Sequence, residues 1–273
     1  DLPFPGTLGR VFTRDWEKNC RRLEMDEAIS IRELKRVAAD HVALTDIPVP
    51  EITPRDDRVA VIGSGPAGLS AAYFLALDGY QITVYESMPQ AGGMLRYGIP
   101  EHRLPRLVLD AEIENLVRYG IKFHTNTTIG KDLTLDDLQK QGVGAIFLAI
   151  GAWKSWKLKI PGEEIFQGVS DAITFLKAVH SGQLKKLEGQ VVVIGGGHSA
   201  LDSARVALRL GASEAHIIYR RSRTEMLAEP EEVLEAEKEG IKIHFQVAPL
   251  EIVGLNGRVC GIRCTRTCLT DAD

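Results

Sequence analysis

The 273-residue sequence lacks the features that define several protein classes. It has only four cysteines and no C-x-x-C pair, which argues against a secreted disulfide framework and a dithiol relay. No apolar stretch approaches the roughly 20 residues that cross a bilayer, and no basic-then-apolar signal pattern opens the chain. The formal net charge of −4 provides no basic surface for nucleic acid. We therefore expect a soluble, cytoplasmic α/β protein.

Among the 26 glycines, two similar segments stand out. Each has an apolar strand, a G-x-G-x-x-G/A turn, an amphipathic helix and a second apolar strand. The first runs from Arg58 to Glu86 and the second from Gln190 to Arg221. This order is typical of a Rossmann unit, which binds a dinucleotide pyrophosphate at the helix N-terminus. The alternative is a glycine-rich turn between strand and helix that binds no ligand.

In the first segment, Gly63 allows the tight turn and Gly65 lets the backbone approach a pyrophosphate. Gly68 lets the helix, which begins near Pro66, pack against the strand. Glu86 lies 23 residues after Gly63, where a carboxylate accepts the ribose hydroxyl protons. These residues predict a first nucleotide site.

The second segment fills the same three glycine roles with Gly195, Gly197 and Ala200. Aligning HIIYR with ITVYE places Arg220 at the position of Glu86, and Arg221 doubles the charge. A guanidinium binds a 2′-phosphate that a carboxylate would repel, so NADP(H) is preferred over NAD(H). The alternative is that both arginines are solvated surface charges.

The rest of the chain predicts a regular order of elements. Residues 1–29 are expected to be irregular, and a helix is expected to start at Ser30 with a Ser30–Glu33 capping box. Further predictions are a linker at 47–57, a helix at 107–119, a strand at 121–124, a buried strand at 145–151, a helix at 171–180 and an acidic helix at 231–239. The segments IKIHFQV and VCGIRCTRT are expected to form a hairpin across Asn256-Gly257.

Five motifs, in order, resemble the small-subunit family of NADPH-dependent glutamate synthase, which is related to the N-terminal part of dihydropyrimidine dehydrogenase. They read VIGSGPAGLSAA, GGMLRYGIPEHRLPR, FLAIGAWKSWKLKIPGE, VVVIGGGHSALDSAR and IIYRRSRTEM. The resemblance implies an FAD domain with an inserted NADPH domain, both Rossmann-like, after a short helical N-terminal segment. We place the N-terminal segment at 1–54, the first part of the FAD domain at 55–155 and the NADP(H) domain at 156–273.

The resemblance also assigns cofactor contacts by motif, with FAD in the first site and NADP(H) in the second. The implied FAD residues are Gly63, Ser64, Gly65, Pro66, Ala67, Gly68, Glu86, Gly93, Met94, Arg96 and Ile129, with Gly151 at the exit from the first domain. The implied NADP(H) residues are Gly195, Gly197, His198, Ser199, Ala200, Arg220 and Arg221. No catalytic side chain is implied, because the cofactors carry the hydride chemistry.

The sequence departs from the family in three places. His198-Ser199 stands where the family usually has Asn-Thr. The N-terminal cysteines that hold iron–sulfur clusters are replaced by Leu8, Phe12 and Trp16, and Cys20 alone cannot hold a cluster. The segment that returns to complete the flavin site is not found before Asp273. Either the chain is the front part of a longer protein, or its flavin site is incomplete.

Three other groups of residues leave alternatives open. Cys260, Cys264 and Cys268 are expected on one strand face, as packed thiols rather than as a metal site. The residues His102, Arg103 and Arg106 fit a place near the nicotinamide and a solvated basic loop equally well. Glu229 and Glu232 are candidate contacts of the nicotinamide ribose, although an acidic helix is usually a solvated face.

The expected function is a flavin-dependent NADPH oxidoreductase that passes electrons to a partner subunit or domain. The alternative is a non-catalytic, regulatory nucleotide-binding subunit. No metal ligand set is expected.

Overall fold

Two parallel sheets of similar build carry the fold, one in each half of the chain. A computed structural model describes residues 2–269. The chain divides into two compact units, with the division between Gly151 and Ala152. The domain limits expected from the sequence, 54/55 and 155/156, stay predictions.

The N-terminal segment is more helical than its sequence suggests. It forms the helices α1 (Pro5–Val11), α2 (Asp15–Lys18) and α3 (Ile31–His41), with 3-10 turns at Arg21–Glu24 and Leu44–Asp46. The expectation that residues 1–29 are irregular is therefore wrong. The reason is a distant contact: the buried Glu112 carboxylate accepts the backbone N–H groups of Gly6 and Thr7 at 2.5 and 3.1 Å.

The helix α3 begins after Ser30 as expected, but the expected capping box is wrong. The Ser30 side chain makes no capping hydrogen bond. Glu33 instead pairs with three arginines, Arg36 at 3.0 Å, Arg32 at 3.3 Å and Arg14 at 3.8 Å. These ion pairs occupy the Glu33 carboxylate, which in a capping box would accept the backbone N–H of Ser30.

The first unit contains a four-stranded parallel sheet in the order β3-β2-β1-β4. Its strands are β1 (Arg58–Ile62), β2 (Gln81–Tyr85), β3 (Lys122–His124) and β4 (Val143–Leu148). Its helices are α4 (Pro66–Leu77), α5 (Met94–Tyr97), α6 (Arg106–Val117) and α7 (Leu135–Lys140). Val59, Val61 and Leu69 belong to the core on one face of β1, and Ala60 and Ile62 to the core on the other.

The strand β4 differs from its prediction in burial. Its Phe147 is 42% exposed and its Leu148 is 61% exposed. The expectation of a buried strand is wrong because β4 is the edge of the described sheet, with β1 as its neighbour on one side. An apolar run of this length does not distinguish a central strand from an edge strand.

The second unit contains a three-stranded parallel sheet in the order β5-β6-β7 and a separate antiparallel pair, β8-β9. The strands are β5 (Gln190–Ile194), β6 (Glu214–Tyr219), β7 (Lys242–Phe245), β8 (Val247–Leu255) and β9 (Arg258–Arg266). The helices are α8 (Ala172–His180), α9 (His198–Arg209) and α10 (Pro230–Lys238). Leu201, Ile217 and Val233 form the centre of its core.

The hairpin turn expected at Asn256-Gly257 is present, but the strand that precedes it is not the one expected. Asn256 and Gly257 both have positive φ, 50° and 78°, as a tight hairpin turn requires. They join β9 to β8, however, while the segment IKIHFQV forms β7, which pairs in parallel with β6. Alternating hydrophobicity identified a strand but not its partner.

The three C-terminal cysteines are not packed together on one strand face. The alternation of β9 is interrupted at Cys260, because Val253 pairs with Gly261 and Gly254 with Val259. Cys268 lies beyond the end of β9, and Cys260 and Cys268 are exposed. Only Cys264 is half-buried, and burial raises the pKa of its thiol.

Between residues 2 and 269, each helix is either too short or too polar to cross a bilayer.

Candidate functional site

The first glycine turn joins β1 to α4, and each of its glycines has a distinct local environment. Gly63 has φ +103°, and a Cβ there would collide with the Ala149 carbonyl oxygen. A Cβ on Gly68 would collide with the Gly63 carbonyl oxygen, so α4 packs closely on the turn. No heavy atom lies within 4 Å of a Cβ added to Gly65. The turn is therefore closed on the protein side and open where a pyrophosphate would approach.

The helix α4 offers its N-terminus at this open side. Gly65 is its N-cap, Pro66 its first residue, and its first turn has no acidic residue. The first N–H groups of a helix have no partner within the helix and attract an anion. Pro66 and Ala67 are exposed. These properties fit a dinucleotide pyrophosphate.

Glu86 follows β2 and is bound to the turn. Its Oε2 accepts the backbone N–H of Ser64 at 3.0 Å and the Ser64 hydroxyl at 2.5 Å. Its Oε1 accepts the backbone N–H of Met88 at 2.7 Å. Glu86 is 6% exposed and Ser64 is fully buried. The Ser64 side chain therefore supports Glu86 rather than facing the open side of the turn.

The loop after β2 packs on the same turn. A Cβ on Gly93, which has φ +51°, would lie 2.6 Å from the Gly65 Cα, and the Gly92 N–H is 3.0 Å from the Ser64 carbonyl oxygen. The half-buried Met94 begins α5 directly after Gly93. The structure thus brings Gly93 to the turn, with Met94 next to it in the sequence.

Arg96 and Arg106 stabilise this loop from within. The buried Arg96 pairs with Asp110 and donates to the Ala91 carbonyl oxygen at 2.5 Å. Arg106 donates to the carbonyl oxygens of Leu95 at 3.1 Å and Ile99 at 2.9 Å, and burial lowers its pKa. Neither guanidinium is a solvated charge, which corrects the solvated-loop alternative for Arg106.

The two remaining predicted residues of the first unit lie away from the glycine turn in sequence. Ile129 is half-buried beside Ala60 and Leu138, and its backbone pairs with that of Leu133. Gly151 has φ +71° and is the last residue of the first unit.

The second glycine turn repeats the design of the first between β5 and α9. Gly195 has φ +139°, and the Ala200 side chain lies 3.6 Å from where its Cβ would be. No heavy atom lies within 4 Å of a Cβ added to Gly197. Gly197 is the N-cap of α9, whose first turn has no acidic residue. This turn is also open toward a pyrophosphate.

The hydrogen-bond register corrects the sequence alignment of the two turns by one residue. The Gly63 N–H donates to the Tyr85 carbonyl oxygen, whereas the Gly195 N–H donates to that of Ile218. The residue after each acceptor is Glu86 in the first unit and Tyr219 in the second. Tyr219, not Arg220, therefore occupies the position of Glu86.

Arg220 and Arg221 follow this position directly in the sequence. Neither side chain has a hydrogen bond or ion pair with any residue between 2 and 269. Arg220 is exposed, and the Arg221 Nε is buried without a partner. Their carbonyl oxygens are fixed by the Thr267 hydroxyl at 2.5 Å and the Gln246 N–H at 3.0 Å. Two cations are thus held on an ordered backbone, and no carboxylate among residues 2–269 pairs with them.

The third arginine of the motif is engaged elsewhere. Arg223 pairs with Glu237 and lies over the Phe245 ring at 5.1 Å. It adds stability to this end of the sheet rather than an available charge.

His198 is the first residue of α9, and its side chain turns toward α10. Its Nδ1 lies 2.6 Å from the Glu232 carboxylate, which is 17% exposed. Ser199 beside it is exposed. Of the two alternatives for Glu232, the solvated charge does not fit this pairing, and the contact with the nicotinamide ribose stays a prediction. Neither the sequence spacing nor the motif indicated this pair, because 34 residues separate its members.

Within residues 2–269, no three His, Cys, Asp or Glu side chains are grouped as ligands of a metal ion.

Residues 57–271 match the family model described as pyridine nucleotide-disulphide oxidoreductase. The chain belongs to this family. The expected fold, two Rossmann-like units of a two-dinucleotide flavoprotein, is confirmed, and so are the expected cofactors, FAD and NADP(H).

Curated relatives agree with the resemblance stated from the motifs. The chain is 43% identical, over 98% of its length, to the NADP(+)-dependent formate dehydrogenase subunit beta of Moorella thermoacetica. It is 40% identical, over its whole length, to the NADPH-Fe(3+) oxidoreductase subunit beta of Geobacter sulfurreducens. It is 34% identical, over 99% of its length, to the glutamate synthase [NADPH] small chain of Azospirillum brasilense. It spans 41%, 42% and 59% of these proteins, respectively.

Solved structures share the fold. FprA from Mycobacterium tuberculosis aligns with a TM-score of 0.66 at 20% identity, over 80% of this chain and 65% of its own. Thioredoxin reductase from Lactococcus lactis aligns with a TM-score of 0.55 at 26% identity, over 77% and 71%.

Proposed function

We propose that this chain is part of a flavin-dependent NADPH oxidoreductase that passes electrons to a partner subunit or acceptor. One contrast carries the proposal: two open glycine turns of the same design are followed by opposite charges. The first is followed by Glu86 and the second by Arg220 and Arg221. A carboxylate suits ribose hydroxyl groups, and guanidinium groups suit a phosphate.

In this proposal the first turn holds FAD. Gly65, Pro66, Ala67 and the N-terminus of α4 would face the pyrophosphate, while Gly63 and Gly68 set the turn. Glu86, held in place by Ser64, would accept ribose hydroxyl protons. The loop residues Gly93, Met94 and Arg96, the backbone of Ile129 and the terminal Gly151 would complete the contacts on this side.

The second turn would hold NADP(H). Gly195, Gly197 and Ala200 set the turn, and His198 and Ser199 open α9 beside the pyrophosphate position. Arg220 and Arg221 would bind the 2′-phosphate, since both are unpaired between residues 2 and 269. When bound, the two cofactors supply hydride transfer between nicotinamide and flavin. The chain's residues would bind, orient and shield them.

The proposed partner is an electron-accepting subunit or domain. Two relatives carry the name subunit beta and a third is called a small chain, which are names of components of larger assemblies. A cytoplasmic location stays a prediction.

An anaerobic titration of the purified protein with NADPH tests this proposal. We expect a flavin absorption band at about 450 nm that bleaches on adding NADPH and responds weakly to NADH. A colourless protein that still binds NADPH would instead favour the regulatory, non-catalytic subunit.

A further inference from the structure

The two units provide an internal comparison of one dinucleotide turn with another. In the first unit, Ser64 and Glu86 meet behind the turn, with the hydroxyl 2.5 Å from the carboxylate. Register assigns Gly196 and Tyr219 to the same two positions in the second unit. Tyr219 thus stands where the first unit has the acid Glu86, and Gly196 stands where it has Ser64, whose hydroxyl binds that acid.

Gly196 and Tyr219 are complementary in shape. A Cβ on Gly196 would lie 2.5, 2.6 and 2.8 Å from three atoms of the Tyr219 ring. Real Cβ atoms do not approach other atoms so closely, so the ring fills the place of the missing side chain. The ring thereby occupies the space in which the first unit holds its acid.

Tyr219 also holds the segment that follows Arg220 and Arg221. Its hydroxyl donates to the Glu225 carbonyl oxygen at 2.6 Å. The Glu225 carboxylate accepts the Ser222 N–H at 3.0 Å and the Ser222 hydroxyl at 2.6 Å. The pair of arginines therefore lies between two fixed points, the Tyr219 ring and the Ser222–Glu225 turn.

The glycine turn itself anchors the far end of this segment. The Gly196 carbonyl oxygen accepts the backbone N–H groups of Leu227 at 3.1 Å and Ala228 at 3.3 Å. Residues 219–228 are consequently tied to Gly196 twice, once through the Tyr219 ring and once through the backbone.

We propose that the Gly196–Tyr219 pair determines the nucleotide specificity of the second turn. Tyr219 keeps a ribose-binding acid out of the turn and positions Arg220 and Arg221 for a 2′-phosphate. This inference rests on the proposed function, in which the second turn binds NADP(H). Preference for NADP⁺ over NAD⁺ then has two sources: NAD⁺ finds no acid at residue 219 for its free 2′-hydroxyl, and NADP⁺ gains two arginines for its 2′-phosphate.

The test measures the dissociation constants of NADP⁺, NAD⁺ and the fragment adenosine 2′,5′-bisphosphate by calorimetry. Tyr219→Phe keeps the ring and removes the hydroxyl that holds Glu225. We expect it to weaken NADP⁺ and the bisphosphate roughly threefold to tenfold and to leave NAD⁺ unchanged. Tyr80→Phe, at a tyrosine of the first unit, is the control and should change none of the three.

A second variant transplants the first turn's pair into the second. Gly196→Ser combined with Tyr219→Glu should weaken NADP⁺ by at least about tenfold and reverse the preference toward NAD⁺, since a carboxylate repels a 2′-phosphate. Gly196→Ser alone should lower the melting temperature, because the serine meets the Tyr219 ring, and the second substitution should restore it.

The possible outcomes distinguish NADP(H) binding by the second turn from the role of the Gly196–Tyr219 pair. A wild-type protein that binds NADP⁺ no better than NAD⁺ overturns the proposed function of the second turn. A wild-type preference for NADP⁺ that survives both Tyr219→Phe and the double substitution overturns the role of the Gly196–Tyr219 pair alone. If the double variant does not fold, the isosteric Tyr219→Phe decides the question through the bisphosphate.

Discussion

Gly65 and Gly68 stand three residues apart in the first turn and serve different purposes. A Cβ at Gly68 collides with the Gly63 carbonyl oxygen, whereas a Cβ at Gly65 meets no atom of the protein. Gly68 is thus a packing residue, and Gly65 leaves space for a ligand. The motif assigns these two different roles to the two positions, and the surroundings of each glycine fit them.

We expect Gly68→Ala to destabilise the first unit by about 1–3 kcal/mol, because α4 must move away from the turn. Gly65→Ala should leave stability unchanged and weaken FAD binding, because its methyl group enters the space assigned to the pyrophosphate. Thermal unfolding and FAD content of the two variants check this pair. Equal losses of stability would show that the open side of the turn is misassigned.

The position of Tyr219 shows where residue-level prediction fails. The strings ITVYE and HIIYR align by their tyrosines, but the sheet registers align Tyr85 with Ile218. Register depends on backbone pairing between strands, which a single sequence does not contain. The glycines, by contrast, were predictable because each turn imposes its own local conformation.

At the scale of elements, Glu112 of α6 anchors the N-terminal helix α1. Its buried carboxylate accepts the N–H groups of Gly6 and Thr7 and the Thr7 hydroxyl, and burial raises its pKa. This contact spans 106 residues. Local sequence could not indicate it, and the prolines and glycines of residues 1–29 suggested an irregular segment instead.

Glu112→Ala should release α1 without unfolding the sheet. Each buried N–H left unsatisfied costs about 1–3 kcal/mol. We expect faster amide hydrogen exchange across residues 6–11 and unchanged exchange in β1 and β2. The exposed Glu114 on the same helix provides the control, Glu114→Ala. Unchanged exchange in α1 would argue against the anchor.

A second element contact joins α9 to the residue after α10. Glu239 accepts hydrogen bonds from Arg205 at 2.7 Å and from Arg209 at 2.8 Å. The Arg209 and Arg205 guanidinium groups lower the pKa of Glu239 from 4.5 to about 2. Because the folded-state value is the lower one, this carboxylate stabilises the fold fully above pH 4.5. The contribution is lost as the pH falls from 4.5 toward 2.

The difference in unfolding free energy between wild type and Glu239→Gln should therefore be largest near neutral pH. It should shrink steadily between pH 4.5 and 2. Urea unfolding across this range measures the difference. The exposed pair of Glu188 with Lys186 supplies the control, because Glu188→Gln should have little effect at any pH. A difference that is constant with pH would rule out the assigned pairing.

The sequence predicted the ends of helices and strands well, because their periodicity is a local property. It predicted strand pairing poorly, because pairing depends on distant partner strands. The helices α6 and α8 and the strand β3 fell within two residues of their predicted ends. The alternation of IKIHFQV predicts the first strand of the hairpin, but Lys242–Phe245 within it pairs in parallel with β6. A third parallel strand and a hairpin strand have the same period, and their difference lies in the partner.

At the scale of the whole molecule, two glycine turns of the same design are proposed to bind different dinucleotides. The first unit presents a buried acid held by a serine. The second presents an aromatic ring followed by two arginines that have no partner in the part of the chain that the structure describes. A chain with this contrast binds two different dinucleotides rather than two copies of one. Its family membership supports the same reading, since FAD and NADP(H) are the family's cofactors.

One measurement tests this proposal most directly: FAD content and NADP⁺ affinity, determined together in two variants of the purified protein. Glu86→Ala should lose FAD and keep its affinity for NADP⁺. The double substitution Arg220→Ala and Arg221→Ala should keep FAD and weaken NADP⁺ by at least about tenfold, since each charge-assisted contact contributes about 1.5–3 kcal/mol. Arg263→Ala, at an exposed arginine of β9, controls for loss of positive charge. An unchanged NADP⁺ affinity in the double variant, or a loss of FAD in both variants, would contradict the account.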